Sequence, residues 1–89
     1  LILFDLDRLK SVNDQGGHLA GDEFLRRFAG ILQNNVRESD FVARWGGDEF
    51  VALLPQTAPA GAQILVARLL ARLADESPNF TASAGIAAL

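Results

Sequence analysis

The chain has 89 residues, 49% of them hydrophobic, which suits one core and no second domain, because a chain this short buries only about 60 to 65% of its unfolded surface. Its 11 acids outnumber 8 Lys plus Arg, giving a net charge of −3, so nothing in the global balance draws it onto nucleic acid or an anionic membrane, and any phosphate contact must be local. It has no cysteine for a disulfide or thiolate site, and its apolar runs fall far short of the roughly 20 residues that span a bilayer, so the expectation is a cytoplasmic domain whose parent chain carries any membrane anchor.

Leu1-Ile2-Leu3-Phe4 is apolar at every position, as in a strand covered on both faces, and runs into Asp5-Leu6-Asp7. A short helical turn through Leu9, Lys10 and Val12 is expected to break at Asn13-Asp14-Gln15-Gly16-Gly17, with a helix resuming from His18 to Asp22. Phe24, Leu25, Phe28, Ile31 and Leu32 then carry the three-and-four spacing of an amphipathic helix, with Arg26, Arg27 and Gln33 on its wet side. Phe41 to Trp45 and Phe50 to Leu54 read as two strands around Gly46-Gly47, a pair that supplies the positive φ angles of a tight hairpin. After the break at Pro55 to Pro59, Thr57 is placed to cap a helix whose apolar face is Ala62, Leu65, Val66, Leu69, Leu70 and Leu73. Asp75 to Asn79 ends that helix, and Phe80, Ala82, Ala84 and Ile86 alternate along a last strand with a kink expected at Gly85.

The order strand, helix, strand, strand, helix, strand predicts an α+β, ferredoxin-like βαββαβ palm domain, an antiparallel sheet with both helices on one face. Both ends of the sequence lie inside apolar strand patterns, so residues 1–89 are expected to be part of a larger domain. In this topology the first strand neighbours the third, and right-handed crossovers bring the hairpin turn to the edge where the first strand ends. Asp5 and Asp48 are therefore expected to meet. Carboxylates converging on one rim make the oxygen-rich site that Mg²⁺ prefers, since it takes one or two carboxylates plus water and substrate phosphates. Each motif alone also has a plainer reading: Asp-x-Asp and Gly-Gly-Asp-Glu are common in turns, Asn13 fits a helix-ending turn, and Asp22 fits a first-turn helix acid.

The combination is more specific. Asp5-Leu6-Asp7, Lys10, Asn13-Asp14, Gly17-His18, Gly21-Asp22, Arg37-x-x-Asp40 and Arg44-x-Gly46-Gly47-Asp48-Glu49-Phe50 stand in the order and spacing of the GGDEF signature, and Ser83-Ala84-Gly85-Ile86-Ala87 resembles that family's later core strand. The sequence thus resembles the GGDEF family of diguanylate cyclases over Leu1 to Leu89. The resemblance implies a nucleotidyltransferase of bacterial second-messenger signalling that joins two GTP into cyclic di-GMP and releases two pyrophosphates, acting as a homodimer with Mg²⁺ or Mn²⁺ and governed by a sensory or regulatory domain in the parent chain. It implies Asp5, the Leu6 carbonyl and Asp48 as metal ligands, Asp48 and Glu49 as catalytic acids, and Asn13 and Asp22 as readers of guanine, with Lys10 on phosphate and Gly46 and Gly47 letting the backbone approach the nucleotide. It further implies Arg37 and Asp40 as the site of inhibition by product, and His18 as a hydrogen-bonded structural residue. The acids and amide suit guanine, whose N1 and N2 hydrogens an Asp can accept and an Asn can complement. Arg8-Leu9 and Gly16 depart from the usual pattern without removing a functional group. The alternative is a catalytically silent domain that binds GTP or cyclic di-GMP and regulates its neighbours.

Overall fold

In the computed structural model the described residues are 1–7, 9–76 and 80–88, with the side chains of 9–20 outside the description. The elements run β1 (Ile2–Asp7), α1 (Leu9–Asn35), β2 (Phe41–Arg44), β3 (Glu49–Leu53), α2 (Pro59–Glu76) and β4 (Thr81–Ile86). The four strands form one sheet in the order β2-β3-β1-β4, and every neighbouring pair is antiparallel. This is the ferredoxin-like palm arrangement that the order of apolar segments predicts.

Alternation in β1 sends Ile2, Phe4 and Leu6 to the core, where they meet Phe50 and Ala52 of β3, Phe24, Phe28, Ile31 and Leu32 of α1, and Ala62, Leu65, Leu69 and Leu73 of α2. Both helices therefore cover one face of the sheet. Phe28 sits at the centre, with its ring centroid 5.4 Å from Phe4 and 5.2 Å from Phe50, while Phe24 stacks on Phe80 at 4.3 Å. Burying an aromatic ring removes a large apolar area from water, and edge-on or offset contact adds about 0.5–1.5 kcal/mol per pair.

Four expectations are corrected. β1 is covered on one face only, because both crossovers deliver their helices to the same side, and Leu3 stays 41% exposed on the other. The break expected near Gly16-Gly17 is absent, since α1 continues from Leu9 to Asn35. A glycine costs a helix interior about 1 kcal/mol without forbidding it, and no proline interrupts this stretch. Thr57 does not cap α2. The helix opens with Pro59, and Ala62 N–H donates to the Ala58 carbonyl at 3.1 Å, so Ala58 holds the capping position while the Thr57 hydroxyl is used elsewhere. Finally, β4 has no kink at Gly85, whose pairing with Leu3 belongs to an unbroken register from Ile2–Ile86 to Asp7–Thr81. Among the described residues, no helix is long and apolar enough to cross a membrane.

Candidate functional site

The pairing of β1 with β3 builds the acidic rim. Phe4 lies opposite Phe50 and Asp5 opposite Glu49, so the end of β1 arrives beside the start of β3, and Leu6 N–H donates to the Asp48 carbonyl at 2.8 Å. Asp5 points to the open face of the sheet because its neighbours Phe4 and Leu6 point to the core. Its carboxyl is pushed above the ordinary 3.8 by loss of hydration first, then by the charges of Asp48 and Asp7, and then by a side-chain hydrogen bond with Asp48. Asp5, Leu6, Asp48 and Glu49 are thus brought together as the topology predicts.

The loop between β2 and β3 is Trp45-Gly46-Gly47-Asp48, closed by Trp45 N–H donating to the Glu49 carbonyl at 2.8 Å. Neither Gly46 nor Gly47 takes a φ in the left-handed region, which corrects the turn expected from the Gly-Gly pair. Gly46 matters instead for the space it leaves, because a Cβ there would lie 2.8 Å from Glu49 Oε1, whereas one on Gly47 would meet nothing within 4 Å. Arg44 braces the loop, donating from Nε to the Gly46 carbonyl at 3.1 Å and from Nη2 to the Gly47 carbonyl at 2.8 Å. That guanidinium is spent on main-chain oxygens beside the acids.

Asp7 is held differently. Its Oδ1 and Oδ2 accept from the Ser83 hydroxyl at 2.8 and 3.0 Å, and Oδ2 accepts from Thr81 at 3.2 Å. Asp5 and Asp48 are left as the neighbouring carboxylates of the rim. Among the described residues there is no cluster of three or more His, Cys, Asp or Glu side chains able to hold an ion. Two carboxylates fit a hard divalent cation that completes its shell with water and phosphate oxygens, so the donor set suits Mg²⁺ or Mn²⁺ together with a nucleotide.

The remaining sites lie elsewhere. Asp22 is exposed on α1, and the side chains of Lys10, Asn13 and His18 fall outside the described residues. Arg37 and Asp40 stand together just before β2, at the opposite end of the hairpin from Asp48. Arg37 N–H donates to Asp40 Oδ2 at 2.7 Å, and Arg37 Nη2 lies 3.6 Å from Asp40 Oδ1. These two residues line a cavity of about 370 Å³ with Thr57, Gly61 and Arg68. The sequence carries no sign of the last three there, because each acts through a contact made only when separate segments fold together, and the local bracing by Arg44 has no sequence period to announce it.

The family model described as diguanylate cyclase, GGDEF domain, matches residues 1–89. The chain is 44% identical over 95 residues to the diguanylate cyclase DgcP of Pseudomonas aeruginosa, covering 99% of this chain and 14% of that protein. It is also similar to the solved active GGEEF domain of a diguanylate cyclase from Vibrio cholerae, with a TM-score of 0.86 and 32% identity over 94% of this chain and 57% of that one. A microbial GGDEF domain solved in its interaction with cyclic di-GMP matches with a TM-score of 0.82 and 36% identity over 94% of this chain and 54% of that one. The chain therefore spans about a seventh of the curated relative and little more than half of the solved domains.

Proposed function

Since the chain belongs to the GGDEF family of diguanylate cyclases, we propose that it condenses two GTP into cyclic di-GMP with release of two pyrophosphates. The observation that carries this reading is the juxtaposition of Asp5 and Asp48 at the end of β1, set by the β1–β3 register and the bond from Leu6 N–H to the Asp48 carbonyl. Asp5, Asp48 and the Leu6 carbonyl would hold the divalent cations on which the family depends, Mg²⁺ or Mn²⁺. When bound, such ions lower the pKa of an attacking hydroxyl and stabilise the leaving pyrophosphate.

The chain's own residues supply position and charge. Asp48, whose carbonyl accepts from Leu6 N–H, orients the 3′-hydroxyl of one GTP and accepts its proton. The oxygen of that hydroxyl bonds to the α-phosphorus of the second GTP as the bond to pyrophosphate breaks, and a second such step closes the ring. Glu49 adds negative charge on the same rim, while Gly46 and Gly47 let the loop backbone approach the nucleotide closely. Lys10 contacts phosphate, and Asn13 and Asp22 read guanine. The two attacks run in opposite directions, so two domains face one another in a homodimer, in the cytoplasm where GTP is available, under a sensory or regulatory domain of the parent chain. Arg37 and Asp40, with Arg68 on the same cavity, bind the cyclic di-GMP product and restrain synthesis.

The test is incubation with GTP and Mg²⁺ followed by chromatographic separation of nucleotides, with Asp48→Ala beside the wild type. Cyclic di-GMP from the wild type alone supports the cyclase. Binding of GTP or cyclic di-GMP without turnover would make the domain a silent regulator.

A further inference from the structure

Asp40 presents an unusual feature of the cavity before β2. Its side chain is only 3% exposed, and Oδ2 is satisfied by the Arg37 N–H at 2.7 Å, yet among the described residues Oδ1 has no hydrogen-bond partner. A buried carboxylate oxygen without a donor is costly, and here a guanidinium stands 3.6 Å away, close enough to pair and too far to hydrogen bond. Arg37 Nη2 instead donates to Thr57 Oγ1 at 2.6 Å and to the Pro55 carbonyl at 3.2 Å. The Thr57 hydroxyl is itself oriented, since it donates to the Pro55 carbonyl at 3.3 Å and so turns its lone pairs to Arg37.

Two features hold Thr57 in that pose. Gln56 takes a positive φ of 54°, which turns the chain sharply before Thr57. Gly61 leaves room for the threonine methyl, which lies 3.1 Å from the place a Cβ on Gly61 would occupy.

We propose that Thr57 is a binding determinant of the Arg37–Asp40 cavity, which keeps the cavity open to its ligand by holding the Arg37 guanidinium off Asp40 Oδ1. The proposal rests on the reading of this cavity as a cyclic di-GMP site. With the guanidinium anchored on Thr57 and Pro55 and not closed onto Asp40, the cavity offers a positioned cation to an anionic phosphate, which a guanine nucleotide carries, while Oδ1 lies buried behind it. Without the threonine hydroxyl, Arg37 closes on Asp40, and a ligand must first break that pair.

The experiment is calorimetric titration with cyclic di-GMP of the wild type, Thr57→Val, Thr57→Ser, Gly61→Ala and Arg37→Ala. Thr57→Val weakens binding about tenfold, the scale of one hydrogen bond to a charged group, and Thr57→Ser stays within about twofold of the wild type. Gly61→Ala crowds the threonine methyl and weakens binding several-fold while its melting temperature holds or rises, because alanine favours the helix, and a purely structural role for Thr57 cannot give that split. Wild-type affinity in Thr57→Val, with Arg37→Ala unable to bind, would overturn the role of Thr57 and leave the cavity reading standing. No binding by the wild type, or equal binding by Arg37→Ala, would overturn both.

Discussion

Asp5 on β1 stands beside Asp48 in the turn before β3, and loss of hydration followed by the nearby charge of Asp48 holds the Asp5 carboxyl above its ordinary value. Such a contact is unfavourable while both are ionised and becomes favourable when a proton or a cation lies between them. Replacing Asp5 with Asn supplies a permanent donor and removes one charge. Without divalent ions at neutral pH, Asp5→Asn is expected to melt about 1–5 °C above the wild type, the effect of relieving a like-charge surface contact of about 0.2–1 kcal/mol in a domain of this size. Added Mg²⁺ with GTP reverses the ranking, because ligands that bind only the folded wild type stabilise it alone. Thermal melts of both proteins, with and without Mg²⁺-GTP, check this.

The pH dependence has a definite sign. Asp5 holds its proton more tightly in the folded chain than its ordinary 3.8 allows, so the folded state binds more protons across the window above that value. Stability contributed by this group is present at low pH and is lost as pH rises through the raised folded value. Urea denaturation without metal is expected to show that decline starting above about pH 4, and Asp48→Asn is expected to flatten it. An identical slope in the variant would remove Asp48 as a cause.

Gly46 and Gly47 are expected to differ when each is replaced by alanine. The new Cβ at position 46 would lie 2.8 Å from Glu49 Oε1, the mobile end of a long side chain, so the fold survives and the carboxylate moves. Gly46→Ala is expected to melt within about 3 °C of the wild type and lose about ten- to hundredfold in cyclic di-GMP formation, the scale of an ångström's misplacement in a reacting site. Gly47→Ala, with open space around it, is expected to lose far less. Parallel melts and product assays separate the two.

The core makes its own prediction. Phe28 touches the rings of both Phe4 and Phe50 and so ties α1 to the two central strands. Phe28→Ala is expected to cost about 3–5 kcal/mol, a large share of the total stability of a small domain. Circular dichroism is expected to show a largely unfolded chain at 37 °C, while Phe28→Leu retains a cooperative transition.

The topology was legible because its signals are periodic: the alternation through Ile2, Phe4 and Leu6 and the spacing of Leu65, Leu69 and Leu73 each fix one buried face. The meeting of Asp5 with Asp48 follows from strand order alone. Local backbone detail was less legible. Gly16-Gly17 reads as a break and lies within α1, and Gly46-Gly47 reads as a positive-φ turn and serves by leaving room for Glu49. Glycine permits several conformations, so its presence does not say which is used. The contact of Arg37 with Thr57 depends on side-chain reach across folded segments, and that of Arg44 with the loop carbonyls on the rotamer it takes, and no sequence period encodes either.

The most direct measurement is Mn²⁺ titration in the presence of GTP, followed by the electron paramagnetic resonance of the free ion, on the wild type, Asp5→Asn and Asp48→Asn. If the two carboxylates form one cation site, the wild type binds Mn²⁺ and each variant binds it at least about tenfold more weakly, since each removes one of two charged oxygen ligands. Wild-type affinity in either variant would contradict a site shared by Asp5 and Asp48.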